Sequence, residues 1–299
     1  MFDSPSTSFI AKLNPHFPIR ELVIGKSRSE VAELLPRLFN LCRTAQSLAV
    51  CAALDLPSTE SIDTLTQEII RDHVLRLAII LPRHLGLSPL HLPVGWQLND
   101  TFLRQLLFGP PGRLPETIFD FENFLKSDYG IAGLLSKIAV FFSPGEGVSS
   151  ALPFVSVETA SNPSSIVDNS CAQRVIDHPV IAHMAARSAQ SRSLFWRLVA
   201  RSYDLDALLN NVPLTVTTPH PGCVHVPATR GLYTINAQHA DDKITHFTRV
   251  TPTDHLCIQG GVLDQVLTTI LPERALVLPI VLDILDPCGP LCVEKITNA

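Results

Sequence analysis

The apolar residues of this 299-residue chain change their period near residue 214, and that change sets the fold class. Before it, apolar residues recur at helical spacing, as in residues 65–81, where Glu68, Arg71 and Asp72 fall on the opposite side. After it, residues 214–217, 231–237 and 243–250 are rich in β-branched and aromatic residues. Ala240-Asp241-Asp242 separates the last two runs as a hairpin turn. Residues 262–270 return to helical spacing. The expectation is an α+β chain, mainly α-helical, with a small antiparallel β element near residues 214–250. No long linker is visible and 46% of residues are hydrophobic, so residues 1–299 read as one domain with a substantial core.

Local signals place the elements. Ser27 and Glu30 form a capping box before an apolar run, in which Pro36 is expected to break or kink the helix. Asn40 is a good N-cap for the next helix, which puts Cys42 in its first turn. Residues 88–116 are rich in Pro and Gly and read as irregular, 118–142 as helix-like, and 144–170 as loop. Residues 179–209 read as one or two helices. Residues 275–285 are apolar and end at Asp286-Pro287-Cys288. Asp as N-cap and Pro at the first helical position predict a short terminal helix with Cys288 in its first turn.

Several classes of function find no support. With a net charge of -5 and 17% charged residues, no basic face for nucleic acid can be built. The first residues lack a basic start followed by an apolar run, so no secretory signal is read. The stretches 74–82 and 275–285 are too short or too interrupted to span a bilayer. A cytoplasmic protein with no membrane partner is expected. The 11 histidines are scattered, with no H-x-x-x-H pair. No Ser/His/Asp set, phosphate loop or carboxylate pair stands out.

Seven cysteines remain, at 42, 51, 171, 223, 257, 288 and 292. An odd count in a cytoplasmic chain argues against a disulfide framework. A helix N-terminus lowers a thiol pKa, so Cys42 and Cys288, if brought together, make a soft-metal site. Buried structural cysteines are the alternative.

Arg37-Leu38-Phe39-Asn40-Leu41-Cys42-Arg43-Thr44-Ala45-Gln46 is similar to the R-I-C-G-V-C-x-x-A-H segment of [NiFe]-hydrogenase large subunits. Asp286-Pro287-Cys288-Gly289-Pro290-Leu291-Cys292 is similar to their C-terminal D-P-C-x-x-C-x-x-H. Each match keeps one cysteine of its pair. Phe39 and Leu291 stand at the missing positions, Gln46 stands at the histidine, and Cys292 falls one residue late. Ala228-Thr229-Arg230-Gly231-Leu232-Tyr233 is similar to the A-P-R-G-x-L stretch. Val250-Thr251-Pro252-Thr253 is similar to V-x-P-T, and Cys171-Ala172-Gln173-Arg174 loosely to L-A-R. The matches run in the family's order from about residue 27 to 292. The whole resembles the HupK/HoxV group, the large-subunit-like accessory proteins of hydrogenase operons.

The resemblance implies a trimmed large-subunit fold that is not an enzyme. It implies a scaffold that assembles or relays iron with its cyanide and carbon monoxide ligands. Cys42 and Cys288 would be the metal ligands, with Cys292 a secondary one if a helix carried both. Arg230 and Thr253 would donate hydrogen bonds to the diatomic ligands. Nickel, which depends on all four thiolates, is not expected; an iron–sulfur cluster stays open. Phe39 either adds bulk where nickel would sit or is a plain core residue. The implied partners are a HypC-type chaperone with a HypD-type maturation factor, and a hydrogenase large subunit. Cys51 and Cys257 read as core residues, Cys223 as a loop thiol, and His73 as a packing residue. Two alternatives remain open at this point: a reduced hydrogenase or hydrogen sensor, and a metal-free protein that grips maturation factors.

Overall fold

The computed structural model describes residues 7–13, 18–289 and 291–297. Strand β1 (Thr7–Leu13) and helix α1 (Ile19–Val23) lead into α2 (Arg28–Leu38). The α2 capping box forms: Ser27 Oγ accepts from the Glu30 N–H, and Glu30 accepts the Ser27 N–H at 2.8 Å. Pro36 does not break α2, which runs on to Leu38. In the last turn a missing N–H removes only one intrahelical bond.

After a 3₁₀ turn (Asn40–Cys42), α3 (Arg43–Ala53) buries Ala45, Ala49 and Val50. Helix α4 (Ile62–Leu75) passes through a π-helical segment (Arg76–Ile80) into α5 (Leu81–His84). Residues 88–116 are not wholly irregular: α6 (Asp100–Phe108) starts where Asn99 accepts the Phe102 N–H at 2.9 Å. It buries Leu103, Leu107 and Phe108. The stretch 118–142 divides into α7 (Ile118–Phe124) and α8 (Ala132–Ala139). The break lies at Gly130, with φ 43°, where a Cβ would sit 2.0 Å from the Leu107 carbonyl oxygen. No other residue fits there.

Strand β2 (Val148–Ser150), the one-turn helix α9 (Val157–Ala160), α10 (Pro179–Arg187) and β3 (Ser191–Ser193) precede α11 (Leu194–Leu209). Helix α11 is buried almost all round and carries Arg197, Arg201 and Asp204 inward beside Leu198 and Leu205. Truncating Leu198, fully buried, to Ala would cost about 2–5 kcal/mol.

Strands β4 (Thr217–His220), β5 (Cys223–Ala228), β6 (Gly231–Ala240) and β7 (Lys243–Val250) form one antiparallel sheet in that order. The β6–β7 turn holds Asp241 and Asp242 at φ 48° and 63°, the left-handed pair of a tight hairpin. Strand β5 is buried along its whole length. Helices α12 (Pro252–Cys257), α13 (Val262–Thr268) and α14 (Leu278–Leu285) follow, and β8 (Leu291–Thr297) pairs antiparallel with β1.

The terminal helix does not form. Asp286 ends α14 instead of starting a helix: it adopts φ 54°, ψ 57°, and its N–H bonds to Leu282 O at 2.7 Å. An Asp in the left-handed region caps a C-terminus. One continuous apolar core runs from Phe9 on β1 to Ile284 on α14. Among the described residues no helix is long and apolar enough to cross a membrane.

Candidate metal centre

Cys42 is the N-cap of α3. The amides at that helix start are taken by Glu68, whose carboxylate accepts the Thr44 N–H at 2.8 Å and the Ala45 N–H at 3.4 Å. The thiol is 9% exposed. Burial pushes it up to about 12, and Arg230 offsets only part of that. The expected lowering at a helix N-terminus is therefore overridden by desolvation, with Glu68 and Asp72 adding negative charge nearby.

Cys288 lies in the turn after α14, not on a helix. Thr253, in the first turn of α12, fixes it twice. The Thr253 hydroxyl donates to Cys288 Sγ at 2.8 Å and accepts the Cys288 N–H at 2.8 Å. Helix α12 is itself set by a capping box, in which Thr251 and Asp254 exchange side-chain and backbone bonds.

Arg230, in the turn between β5 and β6, joins the two cysteine segments. Its Nη1 donates to Cys42 Sγ at 3.3 Å, its Nε to Asp286 O at 2.7 Å, and its Nη2 to Asp286 Oδ1 at 3.1 Å. Burial works against the Arg230 charge, but Asp286 and the two thiols more than offset it and raise its pKa. Asp286 accepts also from Arg201 at 3.0 Å and from Arg76. Burial opposes its ionisation, yet Arg201, Arg230 and Arg76 hold its carboxyl below the ordinary range. A cavity of about 40 Å³ lies on the Arg230, Thr253 and Asp286 side of the site, lined also by Arg201 and Cys171 but by neither Cys42 nor Cys288.

The arrangement is thus two thiols linked through Arg230 and the Asp286 segment, each receiving one hydrogen bond from a fixed donor. A metal bound here would have to displace the Cys42 proton, and Arg230 would stabilise the resulting thiolate. The donor set fits a soft or borderline metal that brings further ligands of its own.

The other cysteines stand apart. Cys292 is exposed on β8 opposite Lys12, its Sγ 3.8 Å from Glu294. With Cys288 in a turn and Cys292 on a strand, no helix aligns them; Pro290 lies outside the described residues. Cys51 is buried on α3. Cys257 ends α12, its thiol pushed up to about 12 by burial. Cys223 is no loop thiol: it begins β5 and is 1% exposed.

His73 packs as expected, fully buried, with Nε2 2.7 Å from Asp204 Oδ2. Among the described residues, His73, Cys171 and Asp204 bring ligand atoms within 4.8 Å of one another. Arg174 already forks onto Asp204 at 2.7 and 2.5 Å, and that cation opposes a metal. Phe39 lies under a guanidinium: Arg249 Cζ is 4.0 Å from its ring centroid. Gln46, at the histidine position of the resembled motif, donates to Phe39 O at 3.0 Å.

The sequence motifs do not reveal Arg76, Arg201 or Arg249 as site residues. Asp286 carried a signal, its place in the D-P-C motif, but its part in the site is to gather arginines.

No family model matches the chain. The fold is that of a hydrogenase large subunit. It is similar to the Ni-Fe-Se hydrogenase from D. vulgaris Hildenborough in the as-isolated oxidised state, with TM-score 0.56, 11% identity and coverage of 94% of this chain and 98% of that one. It is similar also to the Dm. baculatum [NiFeSe]-hydrogenase, with TM-score 0.52, 10% identity and coverage of 94% and 99%. In sequence the chain is 38% identical over 284 residues to the hydrogenase expression/formation protein HupK of Rhodobacter capsulatus, covering 94% of this chain and 91% of that protein. The chain belongs to the HupK family.

Proposed function

We propose that this chain serves hydrogenase maturation as a scaffold that holds the iron, cyanide and carbon monoxide part of the [NiFe] cofactor and passes it to a hydrogenase large subunit. The name of the HupK relative, an expression/formation protein, supports the maturation role. The observation that carries the finer reading is the bridge made by Arg230, which bonds Cys42 Sγ at 3.3 Å and Asp286 beside Cys288.

The cargo is iron that arrives with its own strong-field ligands, so two thiols suffice where a hydrogenase uses four. Cys42 and Cys288 hold it, and Arg230 and Thr253 present hydrogen-bond donors. Fewer thiolates favour release over trapping. The donor is a HypC-type chaperone with its HypD-type partner. Among the described residues no four thiols are brought together, and this reading assigns the chain neither nickel nor catalysis.

Elemental analysis of protein purified without oxygen after co-production with the maturation genes tests this. Stoichiometric iron with nickel near absent is expected. Neither metal, in a folded protein that still captures maturation factors, would favour a metal-free grip; the high pKa of the Cys42 thiol, about 12, is the feature that favours this second reading.

A further inference from the structure

A bonded chain of side chains leads from the surface to Cys42. His84, half exposed at the end of α5, sets its Nδ1 against Asp283 Oδ2. Asp283, on α14, accepts from Arg76 Nη1 at 2.7 Å through its other oxygen. Arg76 Nη2 donates to Asp286 Oδ1. Arg230 Nη2 donates to that same oxygen at 3.1 Å, and Arg230 Nη1 donates to Cys42 Sγ at 3.3 Å. Arg76 opens the π-helical segment, and wide turns of this kind are rare and gather at functional sites.

We propose that Asp283 is a positioning residue of the metal centre, which acts through Arg76 and Asp286 to set where Arg230 stands against Cys42. This deepens the scaffold reading and rests on its placing of Arg230 and Cys42 in that centre. Asp286 Oδ1 carries two guanidiniums, and Arg201 holds Oδ2 at 3.0 Å. Three cations thus face one buried carboxylate, and they repel one another. Asp283 is the second carboxylate of the group. By taking one Nη of Arg76 it offsets that repulsion, so Arg230 can share Oδ1 and still reach the Cys42 sulfur. With Asp283 neutral, Asp286 alone balances three cations. Its Oδ1 is then redivided between Arg76 and Arg230, and Arg230 moves relative to Cys42.

The test reads Arg230 directly. In metal-free full-length protein with isotope-labelled arginine, the Nε–Hε magnetic resonance signal of Arg230, assigned by its loss in Arg230→Leu, reports the bonds of that side chain. Asp283→Asn keeps the size, removes the charge and should move the signal by more than its linewidth. Arg76→Lys keeps the charge but loses the fork; it should move the signal too, and it carries the test if the Asn variant does not fold. In an Arg76→Met background Asp283→Asn should add no further shift, because its effect runs through Arg76. Glu146→Gln, which breaks the separate pair with Arg274, should leave the signal in place and so controls for general loosening. An unmoved signal in folded Asp283→Asn, or an effect of full size without Arg76, overturns the role. Infrared spectroscopy of co-produced protein keeps this apart from the cargo reading. In a parent that carries cyanide bands, Asp283→Asn should shift them, and unshifted bands also overturn the role. A parent with no bands sinks only the iron cargo, and the Arg230 signal then decides alone.

Discussion

Thr253 and Cys288 are bonded twice through one hydroxyl: Thr253 Oγ1 lies 2.8 Å from both the Sγ and the N of Cys288. The hydroxyl gives its proton to the sulfur and takes one from the amide, so a single side chain sets both the position of the turn and the direction of the thiol.

Removing that hydroxyl should therefore loosen the turn. Thr253→Val keeps the shape and leaves the Cys288 amide without its partner, at a cost of about 1–3 kcal/mol. Thr253→Ser should restore most of it. Urea unfolding of the three proteins checks the order; a Val variant as stable as the parent would contradict the geometry.

Asp286 is a buried carboxylate facing Arg76, Arg201 and Arg230. Asp286→Asn keeps the size and tolerates the left-handed backbone, so it isolates the charge. Three guanidiniums left around a neutral amide should cost about 3–5 kcal/mol. Denaturant midpoints measure this; a change within experimental scatter would mean that the arginines are neutralised elsewhere.

The buried thiol of Cys42 gives a pH signature. It ionises near 12 in the folded chain against an ordinary value of 9.0. Below that ordinary value both states keep the proton. Above it the unfolded chain loses a proton that the folded chain retains, so stability falls as pH rises toward 12. The parent should lose up to about 1.4 kcal/mol more per pH unit in this window than Cys42→Ala. Unfolding series from pH 8 to 11 on both proteins should diverge; parallel curves would show an exposed thiol.

Much of this was legible in local signals, and what was not depended on distant partners. The Ser27–Glu30 box and the Asp241-Asp242 turn act within a few residues, and both formed where the pattern placed them. Cys42, Arg230 and Thr253 were legible because each sits in a short motif. Asp286 misled: Asp-Pro reads as a helix start, but the apolar helix before it needed a C-cap and took the Asp first. Strands β1 and β8 pair across almost the whole chain, Thr7 with Thr297, and no local period announces such a pairing. The same holds for Arg76 of the π-helical segment and Arg201 of α11, which meet Asp286 only once both elements pack against the end of α14, and for Arg249 over Phe39.

The hydrogen bonds of Arg230 make a further spectroscopic demand. Arg230→Leu removes a donor that faces the thiol pair and should shift or weaken the cyanide stretching bands of co-produced protein, with iron still bound. Unshifted bands at full intensity would remove Arg230 from the ligand shell.

Infrared spectroscopy of protein made alongside the cyanide and carbon monoxide pathway is the most direct test of the central claim. The bands of both diatomics should be present, with iron bound and nickel near absent. Alanine or serine at Cys42 or Cys288 should abolish them, while Cys51→Ala, in the α3 core, should leave them unchanged. Full bands in folded Cys42 and Cys288 variants, or nickel in stoichiometric amount, would contradict the account.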